Sequence, residues 1–260
     1  MNTVIIPVDF SEVSASAASY AVKLLTTVPE AEIILYHVFD KPEKFDASME
    51  KLQQLKEQLL QNRTAKISLI AEAGDFITEL EKLARHRQAD LVIMGITNRN
   101  PLMQIFVGSN ALKMAENKFC PVIIIPSNAV YNEVKNVLLA TDLKNSVSTT
   151  PSAPIKNVLS AFKARLHIVN VNSEHYIQLS QEFTKEQEGL RQMFADFDPQ
   201  FYFLRLYDVD EAIHQFAQDK NIDLIITIQK DHSVMHKLFH SGHIKKLAQE
   251  STVPVMAVHE

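Results

Sequence analysis

The feature that most constrains the fold of this chain is an internal repeat at one constant offset. Val4-Ile5-Ile6-Pro7-Val8-Asp9 aligns with Val137-Leu138-Leu139-Ala140-Thr141-Asp142, a shift of 133 residues (137 − 4). At the same shift Ile34-Leu35-Tyr36-His37-Val38 falls on His167-Ile168-Val169-Asn170-Val171, and Asp75 falls on Asp208. Asp90-Leu91-Val92-Ile93 falls on Asp223-Leu224-Ile225-Ile226, and Pro121-Val122 on Pro254-Val255. A period this long signals duplicated domains, not a solenoid of short repeats. The join lies near Pro126-Ser127-Asn128-Ala129, which gives domains of residues 1–128 and 129–260.

Each copy alternates apolar strands with helical stretches. In the first, strands are expected at Val4–Val8, Ile33–Val38, Ile67–Ala71, Leu91–Met94 and Val122–Ile125. Helices are expected at about Ser14–Thr27, Glu43–Gln61, Phe76–Arg87 and Gln104–Lys118. Leu52, Leu55, Leu59 and Leu60 recur at helical spacing among Lys and Glu, the pattern of an amphipathic surface helix. Continuous apolar strands separated by helices imply an α/β fold: in each copy an open five-stranded parallel sheet with helices on both faces. In such sheets ligands bind outside the C-terminal strand ends, where the strand order reverses. Asp9, Val38 and Gly95 all sit at strand C-termini, so one crevice can collect them.

The chain has only five glycines, and two of them, Gly95 and Gly108, fall in the stretch GITNRNPLMQIFVGSN from Gly95 to Asn110. A glycine turn after a strand, then Gly108-Ser109 opening a helix, is one way to present backbone N–H groups to an anion. The same spacing also describes a plain βα connection with a Ser cap.

Composition narrows the function classes. A net charge of −5 and a pI near 6.1 give no support to a nucleic-acid surface or a polybasic membrane anchor. The single cysteine, Cys120, rules out an intramolecular disulfide and suits a reducing compartment. The N-terminus lacks a signal-peptide pattern and no apolar run approaches the roughly 20 residues that span a bilayer, so a soluble, cytoplasmic protein is expected.

Pro7-Val8-Asp9-Phe10-Ser11, Tyr36-His37-Val38, Ala89–Gly95, Asn98-Arg99, Gly108-Ser109 and Cys120-Pro121-Val122 together resemble the universal stress protein family. The resemblance covers the chain as a tandem of two such domains, with the adenine-nucleotide alpha-hydrolase-like fold. The family's ATP-binding members carry Gly, two residues, Gly, nine residues, then Gly and Ser or Thr. This sequence keeps the spacing but has Asn98 at the second glycine, before Arg99–Val107 and Gly108-Ser109.

The resemblance implies a site for ATP or AMP in the first copy. Asp9, with Pro7 and the Val8 backbone, would contact the adenosine part, and Val38 would lie against the adenine. Met94 and Gly95 would border ribose and phosphate, while Asn98, Gly108, Ser109 and Asn110 would face the phosphates. Asn tolerates left-handed φ, so the turn can survive at Asn98, but its side chain fills space that glycine leaves to phosphate. The plain alternative for Asp9 is a turn or cap residue before Ser11 or Ser14. The resemblance further implies that the last strands, Pro121–Ile125 and Pro254–Val258, pair as an intrachain pseudo-dimer, with further homodimerisation and protein partners left open.

The second copy departs further. Ile228 stands at the Gly95 position, Asp231 at Asn98, Ser241-Gly242 at Gly108-Ser109, Lys144 at Ser11 and Asn170 at His37. Bulk and negative charge there oppose phosphate, so this copy is not expected to bind ATP in the family's mode. His232, His236 and His240 are spaced i, i+4, i+8, with His243 beyond, a set that can bind zinc but is more commonly solvated or helix-capping. No nucleophile elbow, Cys-x-x-Cys or Gly-Lys-Ser/Thr loop occurs, and a buried, inert Cys120 and a core-strand His37 are expected. The resemblance implies slow ATP hydrolysis at most, hence no enzyme. Two readings stand: an adenine-nucleotide-binding stress-response module, or a ligand-free tandem scaffold acting through protein partners.

Overall fold

The structure, a computed structural model, describes residues 1–61, 63–96, 109–171, 181–204, 208–229 and 241–260. The chain divides into two compact units, Met1–Tyr131 and Asn132–Glu260.

In the first unit the strands are β1 (Thr3–Pro7), β2 (Glu32–Phe39), β3 (Lys66–Ala73), β4 (Leu91–Ile96) and β5 (Val122–Pro126). They are ordered β3-β2-β1-β4-β5 and all the registered pairs are parallel. Parallel neighbours need crossovers, and here α1 (Glu12–Leu25), α2 (Phe45–Leu59), α3 (Phe76–Arg87) and α4 (Ser109–Glu116) supply them. Helix α1 packs on α2, and α3 on α4, so the sheet is covered on both faces. Ile5, Ile6, Ile33, Ile34, Leu35, Leu91 and Ile93 are buried almost completely, which is why these strands read as unbroken apolar runs.

The expected elements are all present, with shifted ends. The helix expected from Glu43 instead opens as a 3₁₀ turn, Pro42–Lys44, and α2 begins at Phe45. Helix α1 begins at Glu12, two residues before the expected Ser14, because Ser11 caps it by accepting from Ser14 N–H at 3.2 Å. Of the helix expected over Gln104–Lys118, residues 109–116 form α4, and its first part lies outside the described residues.

The second unit repeats the plan with β6 (Asn136–Thr141), β7 (Arg165–Val171), β8 (Gln200–Leu204), β9 (Leu224–Gln229) and β10 (Val255–His259), ordered β8-β7-β6-β9-β10. Its helices are α5 (Ser146–Thr149), α6 (Ser152–Phe162), α7 (Gln181–Met193), α8 (Val209–Asp219) and α9 (Ser241–Glu250). The counterpart of α1 is broken into α5 and α6. Pro151 pushes Thr150 out of the helical region, to φ −83° and ψ 116°, and has no N–H to continue the ladder.

The aspartates that marked the repeat have the same duties in both units. Asp90 Oδ2 accepts from the N–H groups of Asn2 (2.6 Å) and Thr3 (3.1 Å). Asp223 Oδ2 accepts from those of Lys135 and Asn136, both at 2.9 Å. Asp75 caps α3 and Asp208 caps α8.

Candidate functional site

Strand order in the first unit reverses between β1 and β4, so their C-terminal ends frame the crevice in which open α/β sheets take ligands. The registers put the expected residues on one level. Ile5 pairs with Val92, which sets Val8 level with Gly95 three residues on, and Pro7 pairs with Tyr36, which sets Asp9 level with Val38. Pro7, Val8 and Met94 are buried, Val38 and Gly95 are half-buried, and Asp9 is exposed. Ser109 opens α4 and Asn110, in its first turn, is exposed; Asn98 and Gly108 lie outside the described residues.

The loop after β1 is shaped by Asp9 itself. Its Oδ1 accepts from Ser11 N–H (3.0 Å) and Ser11 Oγ (2.6 Å), closing an Asx turn over Phe10, whose φ is 64°. Asp9 N–H donates to Ser14 Oγ at 3.3 Å, so the same hydroxyls serve the turn and the start of α1. Partial burial pushes the Asp9 carboxyl up, but the bonds from Ser11 and Ser14 outweigh it and hold the group below the usual carboxylate range. Asp9 is therefore a fixed anion at the mouth of the crevice. The turn reading of Asp9 holds as local structure, and it leaves the ligand reading open, since both Ser11 bonds fall on Oδ1. The second unit keeps this turn: Lys144 N–H donates to Asp142 Oδ1 at 3.0 Å, and Leu143 has φ 53°.

His37 is more than a core-strand residue. It is half-buried, its Nδ1–H donates to Val8 O at 2.8 Å, and its ring lies 4.4 Å from that of Phe10. Lys51 Nζ sits 5.5 Å from the Phe10 centroid. His37 thus ties the Asp9 loop to β2. The signal was present in the repeat: Asn170, at the matching position, donates Nδ2–H to Thr141 O at 3.1 Å. Both residue types carry a donor at the required reach.

Gly95 answers to a neighbour in the protein. A Cβ added there would stand 2.9 Å from Val13 O and 3.0 Å from Ala17 Cβ, both on α1. The close approach that a glycine permits is here occupied by helix α1.

Cys120 is buried, with Sγ 3.3 Å from Ala89 O, and burial, aided by the charge of Asp90, pushes its thiol up to about 12. It is inert as a nucleophile at neutral pH. His232, His236 and His240 lie outside the described residues, among which no group of three or more His, Cys, Asp or Glu is placed to hold a metal. Among the described residues no helix is long and apolar enough to cross a membrane.

Comparison with known proteins brings up universal stress proteins in sequence and in structure. The model of the universal stress protein family matches residues 1–126. A universal stress protein of Methanocaldococcus jannaschii is 28% identical over 137 residues, 47% of this chain and 80% of that one. The crystal structure of a universal stress protein from Archaeoglobus fulgidus superposes with a TM-score of 0.72 at 18% identity, covering 99% of this chain and 98% of that one. The cytoplasmic domain of a prokaryotic cation chloride cotransporter superposes with a TM-score of 0.57 at 11% identity, covering 98% and 93%. At such identities the structural likenesses speak for the fold. With the model matched over residues 1–126, the first unit is a universal stress protein family domain, and the full-length structural likeness shows that the second unit shares its fold.

Proposed function

We propose that the first unit binds an adenine nucleotide, ATP or AMP, in the crevice at the ends of β1, β2 and β4, and serves as a non-enzymatic, cytoplasmic stress-response module. The observation that carries this reading is the common level of Val8, Asp9, Val38 and Gly95 at the point where strand order reverses. A carboxylate kept ionised suits a ribose hydroxyl or the adenine amine and repels phosphates. Asp9 is therefore assigned to the nucleoside end, with Pro7 and Val38 beside it. The phosphates are assigned to Gly108, Ser109 and Asn110 at the start of α4, with Asn98 and Met94 bordering them.

The scaffold reading is favoured by one observation, the contact of α1 with Gly95. That contact accounts for the glycine without any ligand. The deciding measurement is the nucleotide content of the purified chain. Adenine nucleotide near one per chain in the denatured supernatant, lost in an Asp9→Ala, Gly108→Val double variant, supports the binder. An empty wild type with no thermal shift in excess ATP or AMP supports the scaffold.

A further inference from the structure

The residue after the first aspartate lies in the left-handed region in both units, Phe10 at φ 64° and Leu143 at φ 53°. That conformation is costly for any side chain with a Cβ, so each unit has to hold the turn in place. The second unit does so with a hydrogen bond. Thr141 Oγ1 accepts from Leu143 N–H at 3.1 Å, and Ser146 Oγ lies 2.9 Å from the same hydroxyl. In the first unit Val8 stands at the Thr141 position, and its side chain has no atom that could make this bond. The Phe10 ring lies instead against the His37 imidazole, with 4.4 Å between centroids and a tilt of 46°.

His37 therefore does two jobs, and its counterpart does one of them. Asn170 donates Nδ2–H to Thr141 O at 3.1 Å, as His37 donates Nδ1–H to Val8 O at 2.8 Å. An amide is enough for the carbonyl. What the imidazole adds is a ring face for Phe10, which an amide does not offer. Both rings are half-buried, and they adjoin the turn in which Asp9 Oδ1 accepts from Ser11 N–H and Ser11 Oγ.

We propose that His37 is a positioning residue for nucleotide binding in the first unit: its ring holds Phe10, and through Phe10 it holds the Asp9 carboxylate as the nucleoside end of the ligand requires. This role rests on the assignment of an adenine nucleotide to the first crevice, and it deepens that assignment. His37 acts here through its neighbours and not as a ligand contact. Since Asp9 is assigned to the nucleoside end, AMP and ATP should feel the loss of the ring pair equally.

The test is the Kd of AMP and of ATP for the full-length protein by titration calorimetry, with the unfolding free energy of each variant read by urea denaturation. His37→Asn keeps the carbonyl bond, so its stability should stay near that of wild type. Both Kd values should nevertheless rise about fivefold, the worth of one aromatic pair. Phe10→Leu, which installs the residue type of the second unit, should raise them by a similar factor. The double variant should bind no more weakly than either single one, because each change removes the same interaction. Wild-type affinity in the folded His37→Asn protein, losses that multiply in the double variant, or a larger loss for ATP than for AMP each overturn the positioning role and leave the nucleotide site standing. A wild-type protein that binds neither nucleotide overturns the site and this role together, and the wild type alone shows it.

Discussion

At the scale of single residues, Gly95 gives the sharpest expectation. Gly95→Ala sets a methyl 2.9 Å from the Val13 carbonyl oxygen, backbone that cannot swing aside. It should destabilise the first unit by about 1–3 kcal/mol, read by urea denaturation of nucleotide-free protein. A neutral result would show that α1 does not need this glycine. His37 and Asn170 make the same bond with different chemistry, so His37→Asn should cost little. His37→Leu, which strands Val8 O, should cost roughly 1–2 kcal/mol in the same assay. His167 carries a pH dependence. Burial first, then the charges of Lys220 and Arg165, hold it below the ordinary value of 6.5. Burial lowers His214 in the same direction. The folded state thus binds fewer protons than the unfolded one, and this share of stability is present above pH 6.5 and lost as the pH falls below it. His167→Phe should flatten the fall in unfolding free energy as the pH drops below 6.5, measured by denaturant titration at each pH.

At the scale of elements, Asp90 and Asp223 clamp the starts of the first strands of the two units. Asp90 takes two backbone N–H groups from the start of β1 on a single oxygen. Asp90→Ala should therefore destabilise the first unit by about 1–3 kcal/mol, since both donors lose a charged acceptor at once. Amide exchange at Thr3 and Val4 should quicken in the same variant, and unchanged exchange would deny the clamp. The helices diverge more than the strands do. Helix α1 runs unbroken from Glu12 to Leu25 beside Gly95, whereas its counterpart is split at Thr150-Pro151 in the unit that carries Ile228 at the glycine's place. The chain cannot bring a helix as close to isoleucine as to glycine, so the split and the larger side chain belong to one packing solution.

At the scale of the whole molecule, the first unit has its own core and its own sheet, ending in the apolar strand β5. Cut out as residues 1–131, it should fold and self-associate, because a buried-type strand such as Val122–Ile125 at a sheet edge is a template for pairing. Sedimentation of the fragment reads this directly, and a stable monomer at high concentration would refute it. The α/β class and the central strands were legible in sequence because fully buried strands must be apolar throughout, a demand that survives in both copies, whereas the edge strands Lys66–Ala73 and Gln200–Leu204 are only partly buried. The aspartates Asp75, Asp90, Asp208 and Asp223 were legible as landmarks for a related reason. Each satisfies backbone donors that no other element reaches, so the residue type is fixed by hydrogen bonding. What the sequence left open was the duty of particular side chains. Gly95 looks the same in sequence whether a phosphate or a helix fills the space above it, and only the placement of Val13 and Ala17 shows that a helix does. His37 and Asn170 look like substitution until both are found donating to the same carbonyl position. Orphaned atoms such as Asn170 Oδ1 exist only as a property of packing. Sequence alone determined the fold class and the recurrence of apolar strands at one offset, because these follow from hydrophobic period and backbone satisfaction. Tertiary structure decided which side chains are spent on holding the protein together, because that depends on distances between residues far apart in the chain.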